Sequence, residues 1–127
     1  MATVLWIALG SALGGAGRYG VGLWTSERFG SDFPWATLIV NAVGSFVIGF
    51  VTVVTEANDS WPVSNDARLF LAVGFCGGFT TFSAFSIQTL ALMQAGQWPQ
   101  ASANILGSVG FCLLAVWAGA GAAGAIR

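Results

Sequence analysis

The few charged residues of this chain are unevenly placed and divide it into four long apolar runs, residues 3–25, 35–55, 68–95 and 101–126. Only 7% of its 127 residues are charged, against roughly 25% in an average soluble domain. As a helix with a rise of about 1.5 Å per residue, the first run would reach about 34 Å, which is enough to cross the roughly 30 Å hydrocarbon core of a bilayer. We therefore predict an all-α membrane protein in which residues 1–127 form a single integral membrane domain with four transmembrane helices.

The composition also excludes several classes of function. The basic residues are four arginines and the net charge is −1, so the chain has no polybasic surface for nucleic acid. It contains no histidine, and Cys76 and Cys112 form neither a C-x-x-C nor a Cys/His metal pattern. Without a metal cluster or a nucleophile–base pair, we expect that the protein is not an enzyme.

The middle of the third run, residues 74–86, combines glycines with hydroxyl residues. The pair Gly77–Gly78, followed by Thr80 and Thr81, is where we expect the third helix to break near its middle. Unwound backbone at membrane depth is tolerated only where it is buried in protein or lines a wet cavity. This segment is therefore a candidate site.

The arginines give almost no bias in membrane orientation. With four spans, Arg68 and Arg127 lie on one side and Arg28 on the other. The simplest expectation is insertion in both orientations and pairing as an antiparallel dual-topology homodimer. A fixed topology decided by insertion factors is the alternative.

Two predicted helices carry polar side chains at every fourth position. On the second helix these are Thr37, Asn41 and Ser45, and on the fourth they are Asn104, Ser108 and Cys112. Such groups often bond across helices or to their own backbone. Three groups in register on each of two helices favour an uncharged polar track that donates hydrogen bonds.

Arg18 is the charged residue that lies inside a predicted span. A charge in that position usually faces an aqueous cavity or a partner, although a side chain near a helix end can also reach the interface. A lone cation at a polar vestibule attracts anions. We therefore include Arg18 among the candidate pathway residues.

Phe82 and Phe85 flank Ser83 just after the expected break. Aromatic side chains at this spacing usually pack in a core, but the edge of an aromatic ring is positive and can hold an anion. Amide, hydroxyl and ring-edge hydrogens together could replace the water around a small, strongly hydrated anion.

Residues 34–41 with Gly44-Ser45-Phe46, and residues 74–86 with their T-T-F-S-x-F-S element, resemble the two signatures of the Fluc (CrcB) fluoride channel family. The resemblance extends along the whole chain, including Gly14, Gly17, Arg18 and Tyr19. It implies a multi-pass protein of the bacterial inner membrane that forms an antiparallel homodimer with two pathways. It also implies passive, fluoride-selective export that relieves fluoride toxicity.

The resemblance implies roles for particular residues. Asn41 would coordinate the anion, Phe82 and Phe85 would supply ring edges, and Ser83 and Ser108 would belong to the polar track. We add Thr37, from the stripe on the second helix, to this pathway.

The resemblance also implies a cofactor, one structural Na⁺ that is not transported. Backbone carbonyls of Gly77 and Thr80 from both subunits would hold it, and carbonyl oxygens are hard ligands suited to a hard cation. The sequence departs from relatives at Ala36, at Ala84 and at Cys112. Ala84 lacks a hydroxyl, which argues against a site role there.

A small dual-topology multidrug or cation transporter is the alternative function. Such transporters exchange cations for protons through a membrane-embedded carboxylate. This chain offers none inside its apolar runs, because Glu56 falls at a helix end.

Overall fold

The computed structural model describes residues 2–56 and 63–126, and these ranges form helices and their connections without a β-strand. In chain order the elements are α1 (Ala2–Phe29), α2 (Trp35–Glu56), α3 (Asn65–Leu69), a π-helical segment (Phe70–Cys76), α4 (Gly77–Phe79), α5 (Phe82–Gln94) and α6 (Trp98–Ala125). Arg127, on which part of the orientation argument rests, lies outside the described residues.

Local chemistry sets the helix ends. Gly30 has a φ of 74° and donates its N–H to the carbonyl of Ser26 at 3.2 Å, which closes α1 in a conformation that glycine adopts at low cost. Gly96, with a φ of 73°, ends α5 in the same way. Helix α6 begins at Trp98, three residues before the expected start at 101. Proline is tolerated in a first helical turn, where its missing N–H is not needed, so Pro99 does not delay the helix.

Helix α1 packs closely on the π-helical segment through glycines. A Cβ atom at Gly10 would overlap the carbonyl oxygen of Phe70, and one at Gly14 would overlap the carbonyl oxygen of Phe75. Small residues allow two helix backbones to touch in this way. The contact fixes the first half of the interrupted third helix against α1.

Helices α2 and α6 form the second close pair. A Cβ at Gly49 would overlap the carbonyl oxygen of Val116, and one at Gly119 would overlap the carbonyl oxygen of Phe46. The buried Asn104 and Ser108 lie on α6, the helix that packs against α2. The two helices that carry the polar stripes are therefore direct neighbours.

The described segments Trp35–Thr55, Asn65–Gln94 and Trp98–Ala125 are long and apolar enough to cross a membrane. Large apolar side chains lie on the outside, and Leu106 and Trp117 are 74% and 77% exposed. Such surfaces are unfavourable in water and indicate a multi-pass membrane protein. Helix α1 has 28 residues but carries Arg18 and six glycines, so its crossing stays a prediction.

Candidate functional site

Two residues in extended conformation, Thr80 and Thr81, separate α4 from α5. Thr80 has φ −85° and ψ 160°, and Thr81 has φ −158° and ψ 114°. The glycine pair Gly77–Gly78, the expected position of the break, is helical within α4. The backbone leaves the helix after this pair because Thr81 starts the next helix: its Oγ1 accepts the N–H of Ala84 at 3.1 Å, which is an N-cap.

The side chain of Asn41 on α2 holds the extended backbone. Its Oδ1 accepts the N–H of Thr81 at 2.7 Å, and its Nδ2 donates to the carbonyl of Thr81 at 3.1 Å. Ser45, one turn further along α2, donates its hydroxyl to the carbonyl of Asn41 at 2.7 Å. Asn41 therefore ties α2 to the interruption with two hydrogen bonds.

These bonds redirect two donors that a continuous helix would use. In a continuous helix, the N–H of Thr81 would bond to the carbonyl of Gly77, and the N–H of Ala84 to the carbonyl of Thr80. Here the donors go to the side chains of Asn41 and Thr81 instead. The carbonyls of Gly77 and Thr80 thus lose their helical partners.

An open cavity of about 380 Å³ lies between α2, the interruption and α6. Its polar side chains belong to Asn41, Ser45, Thr80, Thr81 and Ser108. The remaining lining residues are apolar or small, with Cys112 at one side, and no charged residue of the described chain is among them. The cavity offers neutral polar groups without a group that exchanges protons near neutral pH.

Phe82 and Phe85 also line this cavity. Their ring centroids lie 5.3 Å apart with an interplanar angle of 47°, so the rings are tilted rather than stacked. Phe82 is 78% exposed, whereas Phe85 is partly buried. A tilted pair beside polar groups can present ring edges, which carry partial positive charge.

A buried hydrogen-bond chain joins α5 to α6 behind the cavity. Thr89 donates its hydroxyl to the carbonyl of Phe85 at 2.7 Å, and Asn104 donates Nδ2–H to Thr89 Oγ1 at 2.9 Å. Ser108 donates its hydroxyl to Asn104 Oδ1 at 3.3 Å. Asn104 is fully buried, so this chain fixes where Ser108 sits.

Three other candidate pathway residues lie outside the lining of this cavity. Thr37 is buried one turn before Asn41 on α2. Ser83 is exposed, and its Oγ lies 3.2 Å from the hydroxyl of Thr81. Arg18 is partly buried on α1.

The sequence placed Thr81 in the candidate segment and Asn104 in the polar track, but it assigned neither residue a role of its own. Thr81 follows a glycine pair and precedes an aromatic residue, and a threonine before a helical run is a recognisable N-cap signal. Asn104 is part of the stripe on the fourth helix. Neither pattern shows which partner the side chain bonds.

Together these features define a class of protein. It is a small helical membrane protein whose uncharged, polar cavity lies where a helix is interrupted, and this arrangement suits passage of a small ion or solute rather than chemical catalysis.

Comparison with known sequences gives the family. Residues 5–120 match the model of the family described as "CrcB-like protein, Camphor Resistance (CrcB)". The chain therefore belongs to the CrcB family.

Three similar proteins carry the same name. A protein of Methylocella silvestris is 54% identical over 115 residues, which cover 91% of this chain and 88% of that protein. A protein of Paramagnetospirillum magneticum is 50% identical over 119 residues, covering 94% and 93%, and one of Thermus thermophilus is 47% identical over 122 residues, covering 96% and 94%. All three are named "Fluoride-specific ion channel FluC".

Proposed function

We propose that this protein is a fluoride-selective passive ion channel that exports cytoplasmic fluoride and so relieves fluoride toxicity. The observation that carries the proposal is its identity of 54% to a protein named a fluoride-specific ion channel, over 88% of that protein. The cavity supports the proposal because its polar groups are neutral. That name describes a channel rather than an enzyme, which agrees with the expectation from the sequence.

The cavity suggests how fluoride is recognised. The bound anion must exchange its water for donors at close range, and the Asn41 amide lies in one cavity with the rings of Phe82 and Phe85. Ser108 lines the same cavity, and its hydroxyl can donate to the anion once it leaves Asn104 Oδ1. We assign the second hydrogen of Asn41 Nδ2 to the anion, since the first is donated to Thr81. The low polarity of the surrounding rings strengthens each such contact.

Other residues extend this pathway. Thr37 continues the polar stripe of α2 beyond the cavity, and Ser83 contributes through its hydrogen bond with Thr81. Arg18 draws anions toward the entrance of the pathway.

In the membrane, α1 crosses as well, which gives four spans in all. The extended pair Thr80–Thr81 lies within the span formed by residues 65–94. The apolar length of Asn65–Gln94 supports this placement, because it has 30 residues with the pair near its middle. The expected location is the bacterial inner membrane.

The functional unit is an antiparallel dual-topology homodimer. The near balance of arginines supports insertion in either orientation. The exposed Phe82 and the exposed Gly77 both line the open cavity, which gives a second copy a surface to cover.

One structural Na⁺ at the dimer centre completes the proposal. The residues fit this ion, because the carbonyls of Gly77 and Thr80 lie at the interruption, where the N–H groups of Thr81 and Ala84 bond to side chains instead of to them. Bound there, Na⁺ would supply positive charge that holds carbonyls of two subunits together, and it would not be transported.

Fluoride efflux tests the function directly. The pure protein is reconstituted in liposomes loaded with potassium fluoride or potassium chloride, and anion release is followed with ion-selective electrodes in the presence of a potassium ionophore. We expect fast fluoride release, little chloride release and no need for a pH gradient. Fluoride release no faster than from protein-free liposomes, or equal release of both anions, would refute the proposal.

A further inference from the structure

Three of the hydroxyl groups that line the cavity already use their proton in a hydrogen bond within the protein. Thr80 Oγ1 donates to the carbonyl of Cys76 at 2.8 Å, and Ser45 Oγ donates to the carbonyl of Asn41. Ser108 Oγ donates to Asn104 Oδ1. A hydroxyl has a single proton, so each of these groups must break a bond before it can donate to an anion.

Thr81 differs from these hydroxyls. As the N-cap of α5, its Oγ1 acts as the acceptor for the N–H of Ala84, which leaves its own proton unused. Its other neighbour is Ser83 Oγ at 3.2 Å, and either hydroxyl can be the donor in that bond. When Ser83 donates, the proton of Thr81 is available to the cavity that Thr81 lines.

Thr81 is also held firmly. Asn41 binds both its N–H and its carbonyl, and only 9% of the residue is exposed. A donor fixed in advance by its surroundings binds an anion without the cost of reorganisation. A chain in which one hydroxyl donates to the next also strengthens the last donor.

We infer that the hydroxyl of Thr81 is a fluoride ligand, and that Ser83 is a positioning residue that donates to Thr81 so that the proton of Thr81 turns toward the anion. This inference rests on the proposed fluoride channel function. It adds a donor from the interruption itself to the amide of Asn41 on α2.

The test separates two roles of Thr81, the donation of its hydroxyl proton to the anion and the capping of α5. Glycine is nearly as good an N-cap as threonine but has no hydroxyl, and serine both caps and donates. We therefore compare Thr81→Gly with Thr81→Ser in the fluoride efflux assay, at low and high fluoride. Ser86→Ala is the control, because it removes a hydroxyl that bonds within α5, to the carbonyl of Phe82.

We expect Thr81→Gly to reduce fluoride flux at low fluoride by about tenfold or more, as for loss of a hydrogen bond to a charged group. Thr81→Ser should rescue flux to within about threefold of the wild type, since it restores the donor. Ser83→Ala should lose about two- to threefold, because it removes only the polarising partner. Ser86→Ala should conduct like the wild type.

Three results would overturn the inference. Equal flux in Thr81→Gly and Thr81→Ser would mean that Thr81 acts only as a helix cap. A flux loss in Ser83→Ala as large as that in Thr81→Gly would mean that Ser83, and not Thr81, donates to the anion. Rescue of Thr81→Gly by high Na⁺ would place its effect on the carbonyl of Thr80 instead. If Thr81→Gly does not elute as a single species on gel filtration, Thr81→Cys replaces it, because a thiol is a weak donor. Wild-type protein that releases no fluoride would refute the channel function itself, which keeps the two failures distinct.

Discussion

At the scale of single residues, the tilted pair Phe82 and Phe85 gives the most specific prediction. Neither side chain has a polar atom, so the ring edge is what each can offer an anion. Replacement of either by isoleucine keeps apolar volume but removes the positive ring edge. We expect fluoride flux to fall about two- to tenfold in each variant, if a ring edge binds the anion about as strongly as it binds the face of another ring. Efflux from liposomes measures this loss.

Phe111→Ile is the matched control for this prediction. Phe111 lies on α6, is exposed and does not line the cavity, so its replacement should leave the flux unchanged. If Phe82→Ile and Phe85→Ile also conducted like the wild type, the ring edges would have no role in the pathway.

Part of this site was accessible from the sequence. A repeat of four residues on a helix places side chains on one face, and the aromatic pair follows the interruption, so the cavity lining of Asn41, Ser108, Phe82 and Phe85 could be anticipated. The hydrogen-bond partners of these residues could not be anticipated. The pairing of Asn41 with the backbone of Thr81 joins residues 40 positions apart and depends on how two helices meet in space.

At the scale of helices, the glycine contact between α1 and the π-helical segment positions the first half of the interrupted helix. We expect Gly14→Ala to lower thermal stability, because the added Cβ would overlap the carbonyl oxygen of Phe75 and force the backbones apart. Overpacking of this kind costs about 1–3 kcal/mol, which at least offsets the gain of about 1 kcal/mol that alanine brings to a helix, and the close approach of two backbones places this site toward the upper end. Thermal unfolding in detergent, followed by tryptophan fluorescence, measures the change.

The neighbouring glycine supplies the control. A Cβ at Gly15 would meet nothing within 4 Å, so Gly15→Ala should leave the melting temperature the same or raise it. Equal melting temperatures for Gly14→Ala and Gly15→Ala would mean that the close approach of the two helices does not contribute to stability.

Helix positions were easier to anticipate than helix irregularities. The apolar runs give the approximate course of the long helices, since apolar length is a direct requirement for crossing a bilayer. The π-helical segment Phe70–Cys76 has no such signature in the sequence. The interruption falls at Thr80 and Thr81 rather than at the glycine pair because capping by Thr81, and not glycine flexibility, sets where α5 begins.

At the scale of the whole molecule, the proposed Na⁺ predicts a slow loss of function. Exhaustive replacement of Na⁺ by a large organic cation should inactivate fluoride flux gradually, because the ion would be enclosed between subunits. Return of Na⁺ should restore the flux, while K⁺ should not. Full flux after prolonged Na⁺ depletion would contradict the ion's structural role.

The orientation of the chain in the membrane gives another prediction at this scale. A tag after residue 127 should be labelled from both sides of the membrane by an impermeant reagent, in comparable amounts. Addition of two lysines to the connector at residues 30–33 should shift the population toward one orientation, since basic residues remain on the cytoplasmic side. Labelling of the unmodified protein from a single side would establish a fixed topology.

The N–H of Thr81, which bonds to the side chain of Asn41, has a consequence for how variants of this protein lose function. If the side chain of Asn41 is lost, this N–H loses its acceptor, and its partner in the ordinary helical pattern is the carbonyl of Gly77. The ladder of hydrogen bonds can then run uninterrupted from α4 into α5. Such harmful substitutions would therefore produce a chain that is more regularly helical than the native one and no less folded. A screen that detects only misfolded or degraded protein would not identify these variants.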